Sequence, residues 1–464
     1  MAASGWQARD VESERLWKME SVVDSEELVR KLCCGMGWSG DGTGSGANDN
    51  GLCWSAGDFG RYARCCFQGL RQLVKAPAPP WMRQEIRGDV DRGSGSVRRF
   101  RTEEMDAMEA DWGHVFCRFR VRGGELVTCD TEKIPLLRSS GEPWGQYEAL
   151  ARAARLLLAL DLLPAKDFFV SPNIFDQQQM PVPVLTKARV VFARNLLRVP
   201  SYELVGPLLD KIRTDLVAIP WAAKEPRLFW RGGMRSFNSC GCRSGAQHWP
   251  ARWRSLNGSQ LLARVPPGSC HDQPPELCSS SCGCTRHVTN RSSFRFSNRV
   301  RLCEISRQHP DLVDAKLAYI PDSYGELRPW ASERRLVASY AQPAEQLSFK
   351  YLISTDGSTI DDTRIYWMLS SGSLAGASSA DVFKQITALL PYGIPGLEPW
   401  RHFVPVREDF GDLVEKIRWA RRNDAECRAM ASRAKDFARS FFTEEQILHY
   451  IFRVLEAYSE LIES

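Results

Sequence analysis

Short apolar runs of strand length recur along this chain with helical stretches between them, and that alternation limits the fold more than any other feature. Val115, Cys117, Phe119 and Val121 alternate towards one face, Gly123-Gly124 turns the chain, and Glu125–Cys129 returns, which predicts a β-hairpin. Glu148 to Leu160 follows as a helix with Leu150, Ala153, Ala154 and Leu157 on one face. Phe168–Val170 and Val182–Leu185 are strand-length runs on either side of the polar turn Asn173–Gln179. From Pro226 the pattern resumes. Leu228-Phe229-Trp230 runs into Arg231-Gly232-Gly233, and Lys350–Ile353 into Asp356-Gly357. A helix over Arg364–Leu369, a turn at Ser371-Gly372-Ser373 and a strand over Phe403–Val406 complete it. Strands interleaved with helices predict an α/β architecture.

The tail is helical. Cys427, Met430, Ala431, Ala434, Phe437, Ala438 and Phe441 keep a 3.6-residue stripe, and Ile447, Ile451, Val454, Tyr458 and Leu461 keep another. Thr443 with Gln446 three residues on is a capping box opening the last helix. These patterns divide the chain. Residues 1–100 are rich in Gly, Ser and Pro with a basic stretch at Arg87–Arg101, and read as a poorly ordered or auxiliary extension. Residues 101–205 and 206–442 form two α/β units, the second interrupted by an insert at 236–293, and 443–464 is a terminal helix.

A length of 464 residues gives room for two or three domains, and 43% hydrophobic with 25% charged residues excludes a wholly disordered or fibrous chain. The net charge of +5 hides an asymmetry: Arg227 to Arg301 holds twelve Arg against one Asp and one Glu, so the remainder is net negative. The insert within that stretch has two Trp and few other aromatics, a poor platform for stacking bases, so no nucleic-acid partner is expected. The best apolar run, Leu156–Leu163, is broken by Asp161 and falls short of the ~20 residues of a spanning helix. Met1 to Glu20 has no apolar segment, so no signal peptide is expected. Cys117, Cys303 and Cys427 sit inside apolar patterns and are expected to be buried reduced thiols. The insert holds Cys240, Cys242, Cys270, Cys278, Cys282 and Cys284 with His248, His271 and His287. Their spacing matches no structural zinc site, and zinc, disulfides and disorder all stay open for it.

Three features could carry chemistry. Arg231-Gly232-Gly233 follows an apolar strand, where glycine lets backbone N–H groups approach an oxyanion and Arg can grip a phosphate; it is also an ordinary turn sequence. Arg364 opens a predicted helix just beyond Asp356-Gly357, where a cation and free N–H groups can neutralise a diphosphate, or where it is a surface residue. Asp176 lies in a polar turn after a strand, placed for a general base or for capping the turn.

Taken in order, these segments resemble a known family. Leu228-Phe229-Trp230-Arg231-Gly232, Pro310-Asp311-Leu312-Val313-Asp314-Ala315, Lys350–Ile353, Asp356-Gly357, Arg364, Leu369–Ser373 and Pro399-Trp400-Arg401-His402-Phe403-Val404-Pro405-Val406 form a series similar to glycosyltransferase family 90, which includes the Rumi-type protein O-glucosyltransferases. The resemblance runs over roughly residues 110–462. It implies a GT-B fold, two Rossmann-like domains facing across a cleft, with the C-terminal helices closing back on the N-terminal domain. It also implies metal-independent, inverting transfer of glucose or xylose from a UDP-sugar to a protein Ser/Thr or a glycan, with no cofactor. The donor set it implies is Arg231, Gly232, Gly233, Arg235, Asp356, Gly357, Arg364, Ser371, Gly372 and Ser373, and the catalytic base is Asp176. Asp362 stands where relatives usually carry Ser.

The resemblance further implies the endoplasmic reticulum or secretory pathway, while the N-terminus leaves a cytoplasmic location open. A catalytically degenerate member acting as a sugar- or protein-binding module is the alternative function. A zinc or nucleic-acid module in the insert is a third.

Overall fold

A computed structural model of the chain describes residues 59–91, 99–113, 116–129, 141–171, 182–186, 188–190, 195–200, 219–234, 298–320, 327–355, 368–369, 381–385, 389–391, 396–407 and 410–463. Three helices open it: α1 (Phe59–Cys66), α2 (Gln68–Lys75) and α3 (Pro80–Asp91). Their apolar faces put Tyr62, Leu70, Met82 and Ile86 into a large core, so over 59–91 the structure differs from an auxiliary extension. α4 (Thr102–Trp112) leads to the hairpin of β1 (Cys117–Arg122) and β2 (Glu125–Val127). Its two-residue turn has φ of 60° at Gly123 and 86° at Gly124, the left-handed pair that matches the twist of a tight hairpin and that glycine adopts without strain.

α5 (Gly141–Ala159) buries Leu150, Ala153, Ala154 and Leu157 as its periodicity predicts. β3 (Asp167–Val170), β4 (Val184–Thr186), β5 (Ala188–Val190) and β6 (Leu196–Arg198) follow. The first sheet has the order β2-β1-β3-β4-β6, antiparallel at the hairpin side and parallel from β3 to β6. Two arginines lock helices to it. Arg118 on β1 bonds Asp167 at 2.6 Å and Asp106 at 2.7 Å, and Arg198 on β6 sits between Glu85 and Asp89 of α3 at 3.0 and 2.9 Å. Burial opposes the charge on Arg198, but the two carboxylates outweigh it and raise its pKa.

Cys117 corrects one expectation. It is joined to Cys129 in a disulfide across the hairpin, and Cys66 is also disulfide-bonded, whereas Cys303 and Cys427 are free and buried as expected. The hairpin register brings positions 117 and 129 to a Cα separation of 5.2 Å, within disulfide range.

The second sheet is built from β7 (Glu225–Gly233), β8 (Val313–Tyr319), β9 (Phe349–Ser354), β10 (Asp381–Gln385) and β12 (Val404–Val406). Its order is β12-β10-β9-β7-β8, and every neighbouring pair is parallel. α6 (Asn298–Gln308) joins β7 to β8, and α7 (Leu327–Glu333) and α8 (Pro343–Gln346) lie between β8 and β9. β11 (Leu389–Pro391) leaves this sheet and pairs antiparallel with β5. β7 and β9 alternate: Leu228, Trp230, Tyr351 and Ile353 enter a second core, while Phe229 and Leu352 enter the core that also holds the first sheet.

Three helices finish the chain: α9 (Leu413–Arg422), α10 (Asp424–Phe441) and α11 (Glu444–Leu461). Thr443 caps α11 by accepting the Gln446 N–H, as predicted. α11 returns to the first core with Ile447, Ile451, Val454 and Tyr458 buried. Tyr458 is fully buried there. Its hydroxyl donates to the Pro183 carbonyl at 2.8 Å and accepts the Phe169 N–H at 3.1 Å, so one side chain holds β3, the residue before β4 and α11 together.

Two outcomes follow for α11. Tyr458→Phe leaves the Phe169 N–H buried without an acceptor and is expected to cost about 1–3 kcal/mol in chemical denaturation. The imidazole of His449 is buried and accepts from Arg453 at Nε2, and burial first, then Arg453, lowers its pKa to about 4. The unfolded chain titrates near 6.5, so it takes up the proton first; this stability is complete above that pH and is lost as pH falls towards 4. His449→Gln is expected to flatten that acid limb, which is worth up to roughly 3 kcal/mol.

Candidate functional site

In chain order the second sheet reads second-first-third-fourth-fifth, a doubly wound arrangement. Its strand order reverses between β7 and β9. In open α/β sheets ligands bind at such a point, outside the carboxyl ends of the two strands. The residues at those ends are Gly233 and Met234 of the first strand and Ser354 and Thr355 of the other.

Arg299, in the first turn of α6, bridges the ends of these two strands. Its Nη1 donates to the Gly233 carbonyl at 2.6 Å and its Nη2 to the Thr355 carbonyl at 3.4 Å, while its guanidinium carbon lies 5.6 Å from the Trp230 ring centroid. A long side chain is thus held buried at the junction of two strands and a helix start. Beside it, Ser354 Oγ and Thr355 Oγ1 are buried hydroxyls with no hydrogen-bond partner among the described residues. Buried polar atoms normally find partners, so two orphaned hydroxyls at the end of β9 make it a candidate place for polar ligand atoms.

Arg231 is placed differently. It and the two glycines lie within β7 rather than in a turn after it. Its Nη1 donates to Asp314 Oδ1 at 2.8 Å and to the Trp230 and Asp314 carbonyls, and its guanidinium lies 4.3 Å above the Phe229 ring. The side chain runs along the sheet towards β8. Gly232 has a packing reason for its identity: a Cβ there would meet Trp230 Cζ2 at 2.5 Å. Gly233 has ordinary room, its nearest atom being Tyr319 Cδ1 at 3.4 Å.

Asp176, Arg235, Asp356, Gly357, Asp362, Arg364, Ser371, Gly372 and Ser373 lie outside the described residues, as does the insert. Asp356-Gly357 directly follows Thr355 in the chain, and Asp176 belongs to the stretch between the parallel strands β3 and β4. Sequence reasoning missed Arg299, Ser354 and Thr355. Arg299 is the next-to-last arginine of the basic run, and only its place at a helix start after the insert could have singled it out.

Comparison with known proteins addresses the same region. Residues 290–464 match the profile described as Glycosyl transferase family 90. Over these residues, fewer than half of the chain, the sequence is similar to that family. Arg299, Ser354 and Thr355 fall inside the matched segment, and β7 lies before it. Protein O-glucosyltransferase 3 of Homo sapiens is 27% identical over 179 residues, covering 37% of this chain and 32% of the relative. Protein O-glucosyltransferase 2 of Danio rerio is 32% identical over 169 residues, covering 35% and 30%. Uncharacterized protein 035R of Invertebrate iridescent virus 3 is 29% identical over 187 residues, covering 37% and 15%. The matched stretch spans about a third of the length of these O-glucosyltransferases.

Among the described residues no cluster of His, Cys, Asp and Glu could hold a metal ion, and no helix is long and apolar enough to cross a membrane. The two glycines give a paired test. Gly232→Ala is expected to destabilise the second sheet by about 1–3 kcal/mol through displacement of the Trp230 indole, and Gly233→Ala to leave the melting temperature nearly unchanged.

Proposed function

We propose that this chain is an inverting glycosyltransferase that moves glucose or xylose from a UDP-sugar to a hydroxyl of a protein or glycan acceptor. The observation that carries this is Arg299 with two orphaned hydroxyls at the switch point of a doubly wound sheet, inside the family 90 segment. The names of the curated relatives support glucose as the sugar and protein as the acceptor. In this reading the first and second sheets belong to two Rossmann-like units facing across a GT-B cleft.

The donor diphosphate lies at the carboxyl ends of β7 and β9. Arg299 and Arg364 take up the negative charge that grows on the β-phosphate as the anomeric C–O bond breaks, with the Ser354 and Thr355 hydroxyls and the chain at Asp356-Gly357 and Ser371-Gly372-Ser373 as further donors. Fixed cations in a dry cleft serve as the counter-charge, so the transfer is read as metal-independent. Asp176 accepts the proton of the acceptor hydroxyl while its oxygen attacks the anomeric carbon from the side opposite the leaving UDP, which inverts that centre. Arg231, Gly232, Gly233 and Arg235 complete the proposed donor set, with Gly233 at the end of β7 and Arg231 within the strand, paired with Asp314. The Cys117–Cys129 disulfide supports an oxidising compartment, in keeping with the secretory pathway and not with the cytoplasm.

The test is hydrolysis of UDP-glucose, UDP-xylose and UDP-galactose by the purified chain, with UDP affinity measured alongside and chelator added in parallel. Arg364→Ala and Arg299→Lys are expected to weaken UDP binding by about 10-fold or more, each with its fold checked by circular dichroism. Asp176→Asn is expected to lower turnover by about 10²–10⁴-fold while UDP affinity is kept. UDP binding with no turnover of any sugar would move the chain to the alternative, a binding module; unchanged turnover in Asp176→Asn would remove that residue as the base.

A further inference from the structure

The outer side of α6 carries a second charged feature. Arg301, Glu304 and Arg307 lie on successive turns, and with Trp330, Arg334 and Arg335 at the end of α7 they line an open cleft of about 770 Å³. Glu304 is shared: it bonds Arg307 Nε at 2.8 Å and lies 3.7 Å from Arg334 Nε. Arg334 rests 4.8 Å from the centroid of the Trp330 ring, which forms the floor. Arg301 and Arg335 are exposed, and neither guanidinium has an acceptor or ring partner among the described residues.

Arg335 stands in a costly position. It has φ of 56°, its N–H bonds the Ser332 carbonyl at 2.9 Å, and the next N–H, of Leu336, bonds Ala331 at 2.9 Å. This is the left-handed residue that closes a helix, where glycine is the usual choice because a side chain is strained there. The chain places a guanidinium at that point instead. A helix C-terminus favours a cation in its last turn, but that does not account for four arginines gathered from two helices around one hollow.

We propose that this cleft docks an acidic polypeptide segment in extended form. Its carboxylates pair with Arg301 and Arg335, whose forked guanidinium groups suit two-pronged carboxylate bonds, and its chain lies across Trp330 and Arg334. The interleaved acids Glu304 and Glu333 select for this class. They repel a compact dianion such as a phosphate or sulfate ester, yet leave gaps for single charges spaced along a strand. The site lies on the opposite side of α6 from the Arg299 contacts, and its readout is binding alone, so it stands apart from the sugar-transfer reading.

The experiment is fluorescence anisotropy of a labelled Glu-Gly repeat peptide against the full chain. A Gln-Gly repeat serves as control, and a heparin oligosaccharide and a phosphoserine-Gly repeat as competitors. The Glu-Gly peptide is expected to bind, to weaken as salt is raised, and to lose about tenfold or more in affinity in Arg301→Glu and in Arg335→Asn. Asn tolerates the left-handed conformation, so that variant keeps the helix end, and an unchanged melting temperature confirms it. Arg83→Glu, on the exposed side of α3 far from this cleft, is expected to bind as the parent does. Equal binding of the Gln-Gly peptide, full affinity in the two cleft variants, or tighter binding of heparin or the phosphoserine peptide would each overturn the proposal.

Discussion

A buried guanidinium must be given acceptors where it lies, and Arg299 receives them from carbonyls at the ends of two adjacent strands. That requirement sets the position of α6 against the sheet. It also keeps the ends of β7 and β9 level, because one planar group reaches both carbonyls only if the strands stop at the same height. The parallel pairing of those strands, Leu228 against Tyr351 and Phe229 against Leu352, has the same effect from within the sheet. Level strand ends and the place of the cation between them are therefore tied to one strand register.

The two sheets share more than a boundary. β7 and β9 send alternate side chains into different cores, so Phe229 and Leu352 are counted with the residues of the first sheet while Trp230 and Ile353 are not. The antiparallel pair β5 and β11 adds a backbone link. An arrangement tied by two kinds of contact resists shear between its layers better than a single apolar face, since each contact fails under a different displacement.

Local periodicity was legible in the sequence wherever a single element decides its own structure. Gly123-Gly124 announces the hairpin because few other residues tolerate that turn, and Thr443 with Gln446 announces α11 because the cap is made by residues three apart. Strand order is another matter. Nothing in Lys350–Ile353 says that it pairs with β7 instead of β8, because the backbone bonds that decide it are blind to side chains. Cys117 misled for a related reason: inside an alternating apolar run a half-cystine and a buried thiol look alike until the hairpin brings Cys129 beside it. Arg299 was hidden in plain charge, since a basic run reads as a solvated surface and only the fold turns one of its members inward.

Helix α11 completes the first core from far along the chain, Tyr458 lying 289 residues after Phe169. Until residues 444–461 have emerged, Leu70, Leu157 and Phe168 lack part of their covering, and the strands of the first sheet lack the tyrosine that joins them. During synthesis these segments therefore wait, partly uncovered, until α11 is made. Chaperones would be called on for the first core because the helix that closes it is encoded so much later.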